Sequence, residues 1–214
     1  MLSKLKWINY KTVTTFVLLI FLGILQACGP LSKPVEERSC NFVQNSNSQR
    51  ISWKGSLPIP LHVHESFPVE YLPALEEAVL IWENSVGRRL FEIVDTRAVG
   101  PNSPRQDNKS TIYWMKNWEV NKANEQGRTT IHWLGNAIHE ADIRINARDF
   151  TYYIEKPNKT SDVHLTSLIV HELGHVLGLR HEDANPSVMA TYLSVQTVRK
   201  DLSQTDLSDI RCEY

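Results

Sequence analysis

Cysteine is scarce in this chain, with three in 214 residues. That excludes a small domain stapled by a disulfide framework, and the odd count leaves one cysteine to be explained. Glycine and proline are sparse as well, nine and ten residues, which excludes collagen-like and low-complexity chains. An excess of charge of one sign is also missing. The formal net charge is −1, so the chain lacks the basic surplus on which general nucleic-acid binding depends, and no nucleic-acid partner is expected. No internal repeat is visible. What is present, 42% hydrophobic and 22% charged residues, suits one globular domain with short additions.

Long apolar runs are absent with one exception, itself short. Residues 1–12 carry Lys4, Lys6 and Lys11 and no acid, and residues 13–25 follow as an apolar stretch broken by Thr14, Thr15 and Gly23. A membrane span needs about 20 apolar residues, so the segment reads as a targeting signal. Leu25-Gln26-Ala27-Cys28-Gly29 then resembles a bacterial lipoprotein signal, where the cysteine after a small residue is cut free and lipidated. The resemblance implies removal of residues 1–27, a lipid on Cys28, a polar tether over residues 28–51 and a domain over residues 52–214 held at the cell envelope. Gly29, in place of an Asp that would retain the protein at the inner membrane, points to the outer one. The alternative is an ordinary secretory signal, giving a secreted protein, or an uncleaved anchor, with Cys28 a bystander in either case. Either way the domain lies outside the cytoplasm. Removing the three lysines takes the formal charge from −1 to −4.

Along the domain, residues 57–64 alternate, with Ile59, Leu61 and Val63 on one face, the pattern of a strand. Leu75, Ala78, Val79 and Trp82 fall at i, i+3, i+4 and i+7, predicting an amphipathic helix over residues 71–84 that closes near Gly87. Residues 91–94, 111–115, 129–134 and 141–146 read as further strands. Ser161 and Asp162 can cap a second helix running to about Leu179, and Ser203 a last one reaching Cys212. The fold class predicted is α+β.

Residues 171–181 read HELGHVLGLRH. His171 and His175 are one helical turn apart, so both imidazoles project toward one point. Two such nitrogens suit Zn²⁺ and leave room for a third ligand and a water. Glu172 is offset about 100° around the helix from His171, where a carboxylate can act as general base without ligating. Gly178 can adopt a left-handed conformation, stop the helix and let His181 return to the same metal. Three His ligands leave an open position, the mark of a catalytic zinc.

The pattern HExxHxxGxxH is similar to the zinc signature of the metzincin peptidases. Met189, eight residues after His181 in SVMATY, resembles the methionine turn of the matrixin branch. The resemblance implies a zincin-like twisted mixed sheet of about five strands with an antiparallel edge strand, an active-site helix and a C-terminal helix. It implies one catalytic Zn²⁺ on His171, His175 and His181, Glu172 as base, and a peptide or protein substrate. The ADIRIN strand looks like the substrate-binding edge, placing Ala141, Asp142, Ile143, Arg144 and Ile145 along the peptide. Tyr192 stands where it could stabilise a transition state or wall the specificity pocket. Residues 147–164 lack the Gly/Asp-rich and His-x-Asp patterns that hold calcium and structural zinc in animal matrixins, so neither is expected. No PRCG-type cysteine switch is present, and Glu182 stands where matrixins usually carry Ser. With Cys28 lipidated, Cys40 and Cys212 remain as a candidate disulfide in a monomer. Two other functions stay open: a non-catalytic surface lipoprotein for adhesion or binding, and an envelope-processing peptidase of narrow specificity.

Overall fold

A computed structural model describes residues 37–214; the signal segment, Cys28 and the start of the expected tether lie outside the described residues. Alternation builds the first strand, β1 (Ile59–His64), with Ile59, Leu61 and Val63 fully buried. Helix α1 (Leu72–Val86) follows and buries Leu75, Ala78, Val79 and Trp82 along one stripe. Gly87, at φ 68°, closes it in the left-handed conformation that a side chain would disfavour. Strands β2 (Phe91–Ala98), β3 (Ser110–Met115), β4 (Gly127–Leu134) and β5 (Ala137–Asn146) complete a five-stranded sheet in the order β2-β1-β3-β5-β4. All pairs are parallel except β4 with β5. A two-stranded ladder, β6 (Tyr152–Tyr153) with β7 (Val163–His164), leads into α2 (Leu165–Val176), and α3 (Gln204–Ile210) lies near the C-terminus. This is the mixed α+β architecture expected.

Three expectations change. The ADIRIN strand is not the edge. It lies in β5, paired on one side with β3 and on the other with β4, so β4 is the antiparallel edge strand. Its side chains are correspondingly enclosed: Ala141, Asp142, Ile143 and Ile145 are buried, and Asp142 accepts a hydrogen bond from the Thr111 amide at 2.9 Å. Arg144 pairs with Glu119 at 3.0 Å and stacks over Trp118, 4.7 Å from its ring centre. Strand pairing is a non-local choice, and the apolar alternation of residues 141–146 is equally compatible with an interior or an edge position.

The second change concerns the tether. Residues 37–51 are polar in composition but belong to the folded domain, because Phe42 and Ile51 are fully buried. Phe42 forms an antiparallel bridge with Leu179, just past α2. Third, α2 is capped by His164, whose side chain accepts from the Ser167 amide, and not by Ser161 or Asp162. Asp162 instead accepts from the Asn158 and Lys159 amides, each at 2.8 Å. At α3 the expected cap is present: Ser203 and Asp206 form a reciprocal capping box.

Cys40 and Cys212 form a disulfide across 172 residues of sequence, with Cα atoms 6.3 Å apart. It joins the N-terminal segment to the C-terminus, and both strands of chain serve the same end of α2. The last carbonyls of a helix have no partner within it. Here the Trp53 indole donates to Val176 O at 2.8 Å, the Tyr214 hydroxyl to Leu177 O at 2.7 Å and the Val43 amide to Gly178 O at 2.9 Å. Among the described residues no helix is long and apolar enough to cross a membrane.

Candidate active site

Helix α2 carries the chemistry, and its surroundings fix both its axis and its end. The Trp82 indole of α1 donates to Val170 O at 2.9 Å, tying the two helices together. Past Val176 the chain turns at Gly178, whose φ of 102° is open to glycine. A Cβ there would also run into the carbonyl oxygen of Ile51, so glycine is required twice over. The turn swings His181 back toward the helix, and the Arg180 amide is held by Asn41 O at 2.8 Å.

His171, His175 and His181 consequently converge. The Nε2 atom of His175 lies 3.1 Å from that of His171 and 3.2 Å from that of His181. His171 Nδ1 faces Val188 O, and His175 Nδ1 faces Leu179 O, both at 2.8 Å. A carbonyl only accepts, so each Nδ1 carries its ring's proton and each Nε2 presents a bare lone pair. Burial pushes the His171 pKa down to about 3 and that of His175 to about 4, and lowers His181 as well, so the rings are neutral at ordinary pH. Lone pairs aimed at one another repel unless a cation sits among them. Two nitrogens on a tetrahedral zinc stand about 3.3 Å apart, given bonds of about 2.05 Å, so this donor set fits Zn²⁺. Among the described residues it is the one group of three potential ligands that converges closely enough for a metal.

Glu172 is buried beside the triad, and its Oε2 accepts from the Thr129 hydroxyl of β4 at 2.6 Å. Burial pushes its pKa up to about 7, against the lowering effect of that hydrogen bond. A carboxylate of raised basicity can take a proton from water and return it to a leaving group. Gly127, at the start of β4, makes room for it: a Cβ there would lie 2.5 Å from Glu172 Oε1. Neither Gly127 nor Thr129 was identified from sequence, because their role depends on β4 being the strand beside α2.

Met189 is 1% exposed and packs its sulfur against Gly174, on the helix turn between His171 and His175. A Cβ at Gly174 would collide with that sulfur, so the close approach of turn and helix depends on glycine. The preceding residue, Val188, supplies the carbonyl that orients His171. Asp206 of α3 holds this turn through the Ser187 hydroxyl and the Val188 amide. The capping pattern SQTD was legible in sequence; its second task was not. Tyr192 is 69% exposed at the rim, and its backbone carbonyl accepts from Arg199.

The triad and Glu172 open into a cleft of about 560 Å³, bounded on one side by Gly127, Arg128, Thr129 and Ile131 of β4 and on the other by residues 190–193. The edge of β4 left unpaired among the described residues therefore runs along the cleft. Ala141, Asp142, Ile143, Arg144 and Ile145 do not line it. A family model described as matrixin matches residues 100–214, more than half of the chain. No curated protein matches it.

Proposed function

The chain belongs to the matrixin family of metallopeptidases, and from that premise we propose that it is a zinc-dependent endopeptidase using Glu172 as its general base. The observation that carries this reading is the convergence of three imidazole nitrogens beside a buried carboxylate, in a cleft bordered by a strand edge unpaired among the described residues. His171, His175 and His181 would hold a zinc ion through Nε2, and the chemistry such an ion would supply there is polarisation of the scissile carbonyl and acidification of water. The peptide backbone pairs antiparallel with β4, which leaves its scissile bond over Glu172. Glu172 takes a proton from the attacking water and passes it to the leaving amine. Thr129 keeps the carboxylate pointed at the cleft. Dialysis against a chelator should abolish peptide hydrolysis and remove one zinc per chain, and one equivalent of zinc should restore the activity. Hydrolysis that persists in metal-free protein would refute the reading.

We further propose that the enzyme sits at the cell envelope, anchored through Cys28, with the outer membrane as the favoured site. The Cys40–Cys212 disulfide supports an oxidising compartment. A Cys28→Ser variant should move from the membrane pellet to the soluble fraction with unchanged specific activity. Equal membrane retention of native and variant protein would remove the anchor.

A further inference from the structure

One cation bordering the cleft forms no direct ion pair among the described residues, although Asp206 and Asp183 stand near enough to favour its charge. Arg199 lines the recess together with Leu168 and Leu193, and its amide donates to Ser167 Oγ at 2.7 Å, one turn ahead of His171 on α2. A guanidinium has five N–H donors. Two are engaged with the wall of the cleft, Nη1 with Tyr192 O and Nη2 with Ala190 O, each at 2.8 Å. Its Nε is buried and has no partner among the described residues. None of the ion pairs among the described residues includes Arg199. The nearby acids keep their charge but give their hydrogen bonds to other groups: Asp183 accepts from Thr191, and Asp206 from Ser187, Val188 and Ser203. By contrast Arg128, across the cleft, is paired with both Glu119 and Glu125.

The direction of β4 says which part of a substrate meets this charge. A peptide antiparallel to β4 begins near Leu134 and leaves past Gly127, so residues after its scissile bond pass the Gln126 end. Gln126 donates from Nε2 to Leu193 O at 2.8 Å, which puts the wall held by Arg199 at that same end. Resting on the peptidase reading of this cleft, we infer that Arg199 selects substrates with Asp or Glu immediately after the scissile bond. A carboxylate there meets unused donors of a fixed charge between apolar walls, where charge-assisted hydrogen bonds are strong. A neutral amide of the same shape answers those donors less strongly and leaves the guanidinium partly stripped of water.

The test uses the zinc-loaded full chain and peptide pairs differing only by Glu against Gln, or Asp against Asn, at that position. The acidic member should be cleaved with a kcat/KM higher by about tenfold or more. Arg199→Gln should bring the ratio near one, and Arg199→Lys should retain part of it. Because Arg199 also braces the wall, binding is read separately: calorimetric titration of Glu172→Gln with the same pairs should show the same preference in Kd. The comparison in the native protein holds whether or not Arg199→Gln folds. Equal cleavage of both members, or an acid preference that survives in folded Arg199→Gln, overturns the inference and leaves the peptidase reading intact. No cleavage of any peptide, with acid-selective binding preserved, overturns the peptidase reading and sustains the role of Arg199. Loss of both cleavage and selective binding overturns the two together.

Discussion

Glu172→Gln should lower peptide hydrolysis by about 10²–10⁴-fold while one zinc remains bound per chain. The substitution keeps the side chain's size and an oxygen to accept from Thr129, whose hydroxyl lies 2.6 Å from the carboxylate. It removes only the ability to take up a proton. Folding should not suffer, because burial already disfavours the charged carboxylate, as its pKa of about 7 records. With the folded pKa above that of the unfolded chain, ionisation of Glu172 opposes folding as pH rises through about 7, and an uncharged amide is spared that cost. A drop in activity at unchanged melting temperature and zinc content is therefore a chemical effect. Zinc assay, thermal melting and steady-state hydrolysis on one preparation make the comparison. Retained hydrolysis would show that another group moves the proton.

Loss of the Cys40–Cys212 bridge should destabilise the domain by about 2–4 kcal/mol, since the closed loop is very long and the unfolded chain gains freedom when it opens. For a chain of this size that corresponds to a melting temperature lower by roughly 5–15 °C. The effect should reach the site as well. The disulfide joins the segments whose Val43 amide and Tyr214 hydroxyl hold the carbonyls at the end of α2, just before the turn that delivers His181. The Cys40→Ser/Cys212→Ser double variant should accordingly bind zinc more weakly than native protein. Native protein under reductant should melt with the double variant. Coincident melting of oxidised and reduced native protein would show that the bridge carries no stability.

The two substitutions probe parts of the molecule that differed in how far they could be read in advance. HELGHVLGLRH holds the last turns of α2, a glycine stop and the return to His181, and each of its relations is local. Spacing on a helix determines which imidazoles share a face, and the conformational freedom of glycine determines where the chain can turn back. Met189 and the Ser203 cap are also short-range patterns. The five strands of the main sheet are legible in the sequence, with ends that differ by up to four residues, and β4, read from Thr129, begins at Gly127; the short β6 and β7 are not.

Pairing is a different matter. The ADIRIN segment and β4 both alternate, and nothing within either says which has a neighbour on both sides. That depends on how β3, β5 and β4 assemble across more than thirty residues of chain. For the same reason Phe42 and Ile51, two apolar residues in a polar stretch, gave no sign that they would cover the end of α2. Thr129 and Gly127 acquire their relation to Glu172, and Arg199 its place in the recess, through the same long-range packing. Metal ligands and base thus follow from helical periodicity and a glycine turn, which act over a few residues. The strand that borders the cleft, the residues that aim the carboxylate and the charge in the recess were decided only when distant segments came into contact.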